Sequence, residues 1–72
     1  MRRLKQMRLE RGLTQRQVGF LGDLDPRRVG QIESGAATPP DGSIELARLA
    51  KALKFKGDPA RLLEEVTDEV KA

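Results

Sequence analysis

The sequence predicts an all-α fold of five short helices, and three observations predict it. Apolar residues recur at helical i, i+3 and i+4 spacing throughout, and no segment reads as a strand. Residues that start helices precede four of the periodic segments, at Thr14, Asp25, Ser43 and Asp58. Glycine and proline fall between the segments, most densely in AATPPDG from Ala36 to Gly42. The 72 residues suffice for one domain, 1–72, with no internal repeat or linker.

Each element has a local justification. Leu4, Met7 and Leu9 mark a first helix ending near Gly12. Thr14 and Gln17 form a capping box for a second helix, Gln15 to Leu21: the threonine oxygen accepts from the Gln17 amide, and the glutamine side chain reaches back to the Thr14 amide. Val18 and Leu21 mark its apolar side, with Phe20 beside them. Gly22-Asp23 tolerates left-handed backbone and allows a turn. Asp25 caps a third helix, Pro26 to Ser34, whose first residue is a proline that forfeits no hydrogen bond there. Val29 and Ile32 mark its core face, and Gly35 stops it. Ser43 caps a fourth helix, expected to bury Ile44, Ala47, Leu49, Ala50 and Leu53 and to close at Lys54, Lys56 and Gly57. Asp58-Pro59 repeats the aspartate-proline start for a fifth helix over 58–71, with Leu62, Leu63, Val66 and Val70 on one apolar face.

Composition excludes several kinds of chemistry. There is no cysteine, so no disulfide or thiolate metal site, and no histidine to act as zinc ligand or general base. Ser34 and Ser43 are the only serines and have no histidine to activate them, so the reading is non-enzymatic, with no cofactor and no metal. Phe20 and Phe55 are the only aromatics, too few for a single-strand stacking platform. No apolar run approaches the roughly 20 residues of a membrane span, and no signal-peptide core is visible, so the chain is expected to be soluble and cytoplasmic.

Charge is distributed unevenly. Residues 1–30 carry eight basic and three acidic side chains, a net of +5, whereas residues 31–72 carry six basic and eight acidic, a net of −2. The positive half contains most of residues 14–35, the most informative part of the chain: two short helices joined by a tight turn, the second carrying Arg27, Arg28 and Gln31 on its opening turns. A helix with such side chains on its first turns can enter the DNA major groove and reach base edges.

Four pieces stand in order: RLERGLTQ (Arg8 to Gln15), IESG (Ile32 to Gly35), Pro39 after the loop, and LARLAKAL (Leu46 to Leu53). With the eighteen-residue interval from Gln15 to Glu33, they make the chain resemble the phage-repressor (Xre/Cro-like) helix-turn-helix family from about Leu4 to Phe55. The resemblance implies a compact five-helix, lambda-repressor-like DNA-binding domain with its helix-turn-helix at helices two and three. It implies that Gln15 contacts a phosphate, that Arg8 and Glu33 form a structural ion pair, and that Pro26, Arg27 and Gln31 sit where bases are read, with Arg28 beside them. It also implies a homodimer on double-stranded DNA, at an operator expected to be an inverted repeat.

The sequence departs from that pattern. Gly19 replaces the usual alanine, Gly22 the usual apolar residue and Asp23 the usual turn glycine, with Phe20 or Leu21 expected to fill the gap. Gly30 weakens helix three, and the loop after Gly35 has no lysine or arginine.

Neighbours on a helix diverge by about 100°, so one of Arg27 and Arg28 is expected to read a base and the other a phosphate. Gln31 shares the face of Arg27. Thr14, Arg16, Arg3 and Arg2 join Gln15 as phosphate candidates, Thr14 acting first as a cap. Leu62, Leu63, Val66 and Val70 either complete the monomer core or form a dimer face. The leading reading is a transcriptional repressor. The alternative comes from ESGAATPP followed by LARLAKALKFKGD, which also resembles the multiprotein bridging factors and implies a protein-binding transcriptional adaptor.

Overall fold

The computed structural model describes residues 1–66. Four α-helices lie in this span: α1 (Arg3–Glu10), α2 (Gln15–Gly22), α3 (Pro26–Ser34) and α4 (Ile44–Leu53), followed by a 3-10 helix at Pro59–Leu63. The described residues contain no strand, only an isolated antiparallel bridge between Arg2 and Glu65.

Side-chain caps start α2, α3 and α4, whereas Arg2 at the start of α1 makes no such cap bond. Thr14 Oγ1 accepts from the Gln17 amide at 3.0 Å, and the Thr14 amide donates to Gln17 Oε1 at 2.8 Å, completing the capping box. Asp25 accepts from the Arg27 amide at 2.9 Å, and Ser43 accepts from the Leu46 amide at 3.3 Å. Asp23 takes the left-handed conformation (φ 56°) and ends α2, while Gly35 does the same for α3 at φ 87°.

The core is a single apolar cluster. Leu4 of α1, Val18 of α2, Val29 and Ile32 of α3, and Leu46, Leu49 and Leu53 of α4 are fully buried, together with Leu62. Burying each such side chain contributes about 1.5–3 kcal/mol.

Two expected faces are rotated from their sequence positions. Ile44 is 70% exposed and Ala47 is exposed, and Leu46 and Ala52 take the buried places in α4. Ile44 is the first helical residue, and α4 turns its Leu46–Leu49–Leu53 side to the core. In α2 the partner of Val18 one turn on is Gly22, not an apolar side chain. A Cβ on Gly22 would stand 3.0 Å from the Arg48 carbonyl oxygen. Hence α4 occupies the space an apolar residue would need, and neither Phe20 (85% exposed) nor Leu21 (50% exposed) fills it.

The fifth helix expected over 58–71 is also corrected. It starts as foreseen, with Asp58 accepting from the Ala60 amide at 3.0 Å, but it is a short 3-10 helix that gives way to extended backbone at Glu64 (φ −65°, ψ 141°). The N-terminal segment takes the hydrogen bonds that a longer helix would have used. Arg3 N donates to Glu64 O at 2.7 Å, and Val66 N donates to Met1 O at 2.8 Å. Leu62 therefore lies in the monomer core, Leu63 packs against it, and Val66 is half-buried. Val70, the last member of that expected face, lies outside the described residues.

Candidate nucleic-acid interface

The orientation of α3 follows from what it buries. Val29, Ile32 and Glu33 face inward. At about 100° per residue, the opposite side carries Arg27 and Gln31, one turn apart. Both are exposed, and neither side chain has a hydrogen bond or ion pair among the described residues. Pro26 is exposed at the first helical position.

A buried polar network holds this helix in place. Arg8 Nε donates to Glu33 Oε2 at 2.6 Å and Arg8 Nη2 donates to Glu33 Oε1 at 3.1 Å. Arg8 Nη1 donates to the Leu13 carbonyl at 2.9 Å, so the guanidinium also fixes the α1–α2 connection. Gln15 Nε2 adds a third bond to Glu33, at 3.2 Å to Oε1. Arg8 is 9% exposed and Glu33 5%. A pair so buried is tolerable because both charges are matched and hydrogen-bonded. One carboxylate thus joins α1, α2 and α3.

Gln15 is the first residue of α2, where unpaired backbone amides and the helix dipole favour an anion. Its amide lies against Gly30: a Cβ there would stand 3.3 Å from both Nε2 and Oε1. Gly30 therefore makes room for Gln15, which accounts for a glycine inside α3. Thr14 and Arg16 flank this end of α2 and are exposed. Arg16 has no partner among the described residues.

Arg28 and Arg3 are placed differently. Arg28 Nε donates to Glu45 Oε2 at 2.7 Å and Nη2 donates to Oε1 at 2.9 Å, binding α3 to the first turn of α4. These bonds hold the Glu45 carboxyl below the ordinary carboxylate range and raise the already high value of the guanidinium. Arg3 pairs with Glu64 at 3.6 Å and makes no ion pair to α2 or α3 among the described residues. Its Nε is buried without a hydrogen-bond partner.

Two further cations act on the motif: Arg2, which the sequence offers only as a phosphate candidate, and Arg48, which it does not single out. Arg2 Nη1 donates to the Ile32 and Ala37 carbonyls, each at 2.9 Å, and Nη2 donates to Thr38 Oγ1 at 2.8 Å, so Arg2 caps the C-terminal end of α3. Arg48 Nη1 donates to the Asp23 carbonyl in the α2–α3 turn at 3.4 Å. The orphan carbonyls of α3 were a signal that some donor must serve them, but no local pattern names Arg2.

Two capped helices joined by a left-handed aspartate, with cations and amides on the outer side of the second, define a helix-turn-helix protein. The family model described as "Helix-turn-helix domain" matches residues 2–63, and the chain belongs to that family. Such domains are typical of DNA-binding regulators rather than enzymes. No curated protein and no solved structure matches the chain. Among the described residues, no group of His, Cys, Asp or Glu could hold a metal ion, and no helix is long and apolar enough to cross a membrane.

Proposed function

We propose that this protein is a sequence-specific, double-stranded-DNA-binding transcriptional regulator. We infer the repressor role and the phage-repressor (Xre/Cro-like) type from the sequence resemblance. Helix α3 enters the major groove. The observation that carries this reading is the outer face of α3: the side chains of Arg27 and Gln31 stand together, exposed and without partners among the described residues, on a helix fixed from behind by Arg8, Glu33 and Gln15. Arg27 can give two bonds to guanine, and Gln31 can reach a neighbouring base. Gln15, Thr14 and Arg16 at the start of α2 meet phosphate, with Arg3 a further candidate. The protein acts on an inverted repeat as a homodimer, in the cytoplasm and on the nucleoid. Leu62 lies in the core, so of the dimer-face candidates among the described residues Leu63 and Val66 remain.

Selection of bound duplexes from a random library tests this with wild type and Arg27→Ala. Enrichment of a short inverted repeat that Arg27→Ala loses is the expected result. Affinity should fall steeply with salt, because phosphate contacts release counterions. No enrichment by a folded wild type would overturn it.

One observation favours the adaptor reading. Phe20 and Leu21, with Leu13, Arg16 and Gln17, line a shallow, largely apolar depression of about 370 Å³ on the outer side of α2. Exposed apolar surface of this kind suits a protein partner. If library selection fails and a partner is lost with Phe20→Ser, the adaptor reading replaces the first.

A further inference from the structure

Arg28 is the candidate base-reading residue that already holds a partner. Glu45 takes Nε and one hydrogen of Nη2, the side-on, two-bond fit of a carboxylate to a guanidinium. Three of the five N–H bonds remain, on Nη1 and the outer side of Nη2. Among the described residues Nη1 has no hydrogen-bond partner, and it is not a buried atom, so it opens to solvent. The Nη1–Nη2 end is the edge that a guanidinium presents to guanine O6 and N7.

The pairing also changes what Arg28 is good for. With Glu45 at 2.7 Å, the two side chains together carry almost no net charge. A phosphate approaching this guanidinium would meet the carboxylate as well, and the loop 36–42 supplies no lysine or arginine to compensate. The pair is therefore a poor counter-charge and a good directional donor.

We propose that Glu45 is the positioning residue for Arg28, holding its free end as a near-neutral donor for a base edge, so that the pair sets preference at one base pair instead of adding phosphate affinity. The inference rests on the DNA-binding reading of α3.

The test titrates wild type, Glu45→Gln and Arg28→Ala, each checked for folding by thermal melting. The duplexes are the selected sequence, its single-base variants and an unrelated duplex, between about 50 and 200 mM salt. Glu45→Gln frees a full positive charge. It should bind the unrelated duplex more tightly, steepen the log-affinity against log-salt slope by about 0.9, and reduce discrimination at one base pair about tenfold. Arg28→Ala should lose the preference at that same base pair. Two results would overturn the proposal while leaving the DNA reading intact. One is an equal loss on every duplex with an unchanged slope in Glu45→Gln, which makes the pair a mere tether between α3 and α4. The other is a shallower slope with intact preference in Arg28→Ala, which makes Arg28 a phosphate contact. A folded wild type without any sequence preference overturns both readings.

Discussion

Gln15 lies across Gly30, with both polar atoms of its amide 3.3 Å from where a Cβ on that glycine would be. The glycine inside α3 and the glutamine at the start of α2 thus form one fitted unit, closed by the bond from Gln15 to Glu33. Gly30→Ala gains about 0.5–1 kcal/mol of helix stability, and the neighbour it crowds is the end of a flexible side chain. The melting temperature should rise by about 2–5 °C, while duplex affinity drops at least about threefold as Gln15 is displaced. A lower melting temperature would show that Gln15 cannot yield.

Gly19 and Gly22 face rigid neighbours instead. A Cβ on Gly19 would stand 2.6 Å from the Leu24 carbonyl oxygen, and one on Gly22 would stand 3.0 Å from that of Arg48. Backbone must move in both cases, and overpacking of this sort costs about 1–3 kcal/mol, more than the helical gain of alanine. Gly19→Ala should lower the urea midpoint clearly and Gly22→Ala less so. The opposite order would refute the geometry of the α2–α3 turn.

Removing one partner of the Arg8–Glu33 pair strands the other. Glu33→Ala and Arg8→Ala should each destabilise the protein by about 3–5 kcal/mol. A chain of this size has total stability on the order of 4–11 kcal/mol, so either variant should be close to unfolding. Arg8→Met/Glu33→Leu should recover part of the loss, because no charge is then left buried. Calorimetric melting of the three variants checks this, and additive losses in the double variant would contradict it.

The Arg28–Glu45 pair should have an acid signature. The Glu45 carboxyl is held below its ordinary value in the folded state, so its contribution is present above the unfolded carboxylate pKa of about 4.3 and is lost as pH falls through the folded value. Arg28 stays charged throughout that range. Wild type should melt above Glu45→Gln by a constant margin at neutral pH, and the margin should close in acid. A margin unchanged in acid would mean that the carboxylate charge is irrelevant.

Phe20 is 85% exposed and contributes little to the core. Phe20→Ser should change stability by no more than about 0.5 kcal/mol and leave duplex binding intact. Loss of duplex affinity in this variant would place the side of α2 bearing Phe20 against DNA.

Much of the fold was legible because its causes are local. Thr14 with Gln17, Asp25 with Pro26, Ser43 and Asp58 satisfy backbone amides within three residues of themselves, so the helix starts can be read one window at a time. The fifth helix failed because its cap promises a start, not a length. Backbone groups of residues 1–3 took the bonds at Glu64 and Val66 from the other end of the chain. The candidate site divided in the same way. Arg27 and Gln31 share a face by helical spacing alone, whereas nothing local announces that Arg2 serves the end of α3 or that Glu45 holds Arg28 seventeen residues away.

The sequence by itself determined the all-α class, the capped starts of α2, α3 and α4, the left-handed turn between α2 and α3, and the concentration of positive charge in residues 1–30. Each follows from hydrogen bonds or apolar periods spanning a few residues. Only the tertiary structure decided that Leu46 and not Ile44 enters the core, that Gly22 admits α4 and Gly30 admits Gln15, and which of two adjacent arginines is left free. Those outcomes depend on which surfaces meet when helices pack, and packing brings together groups whose separation along the chain carries no local signal.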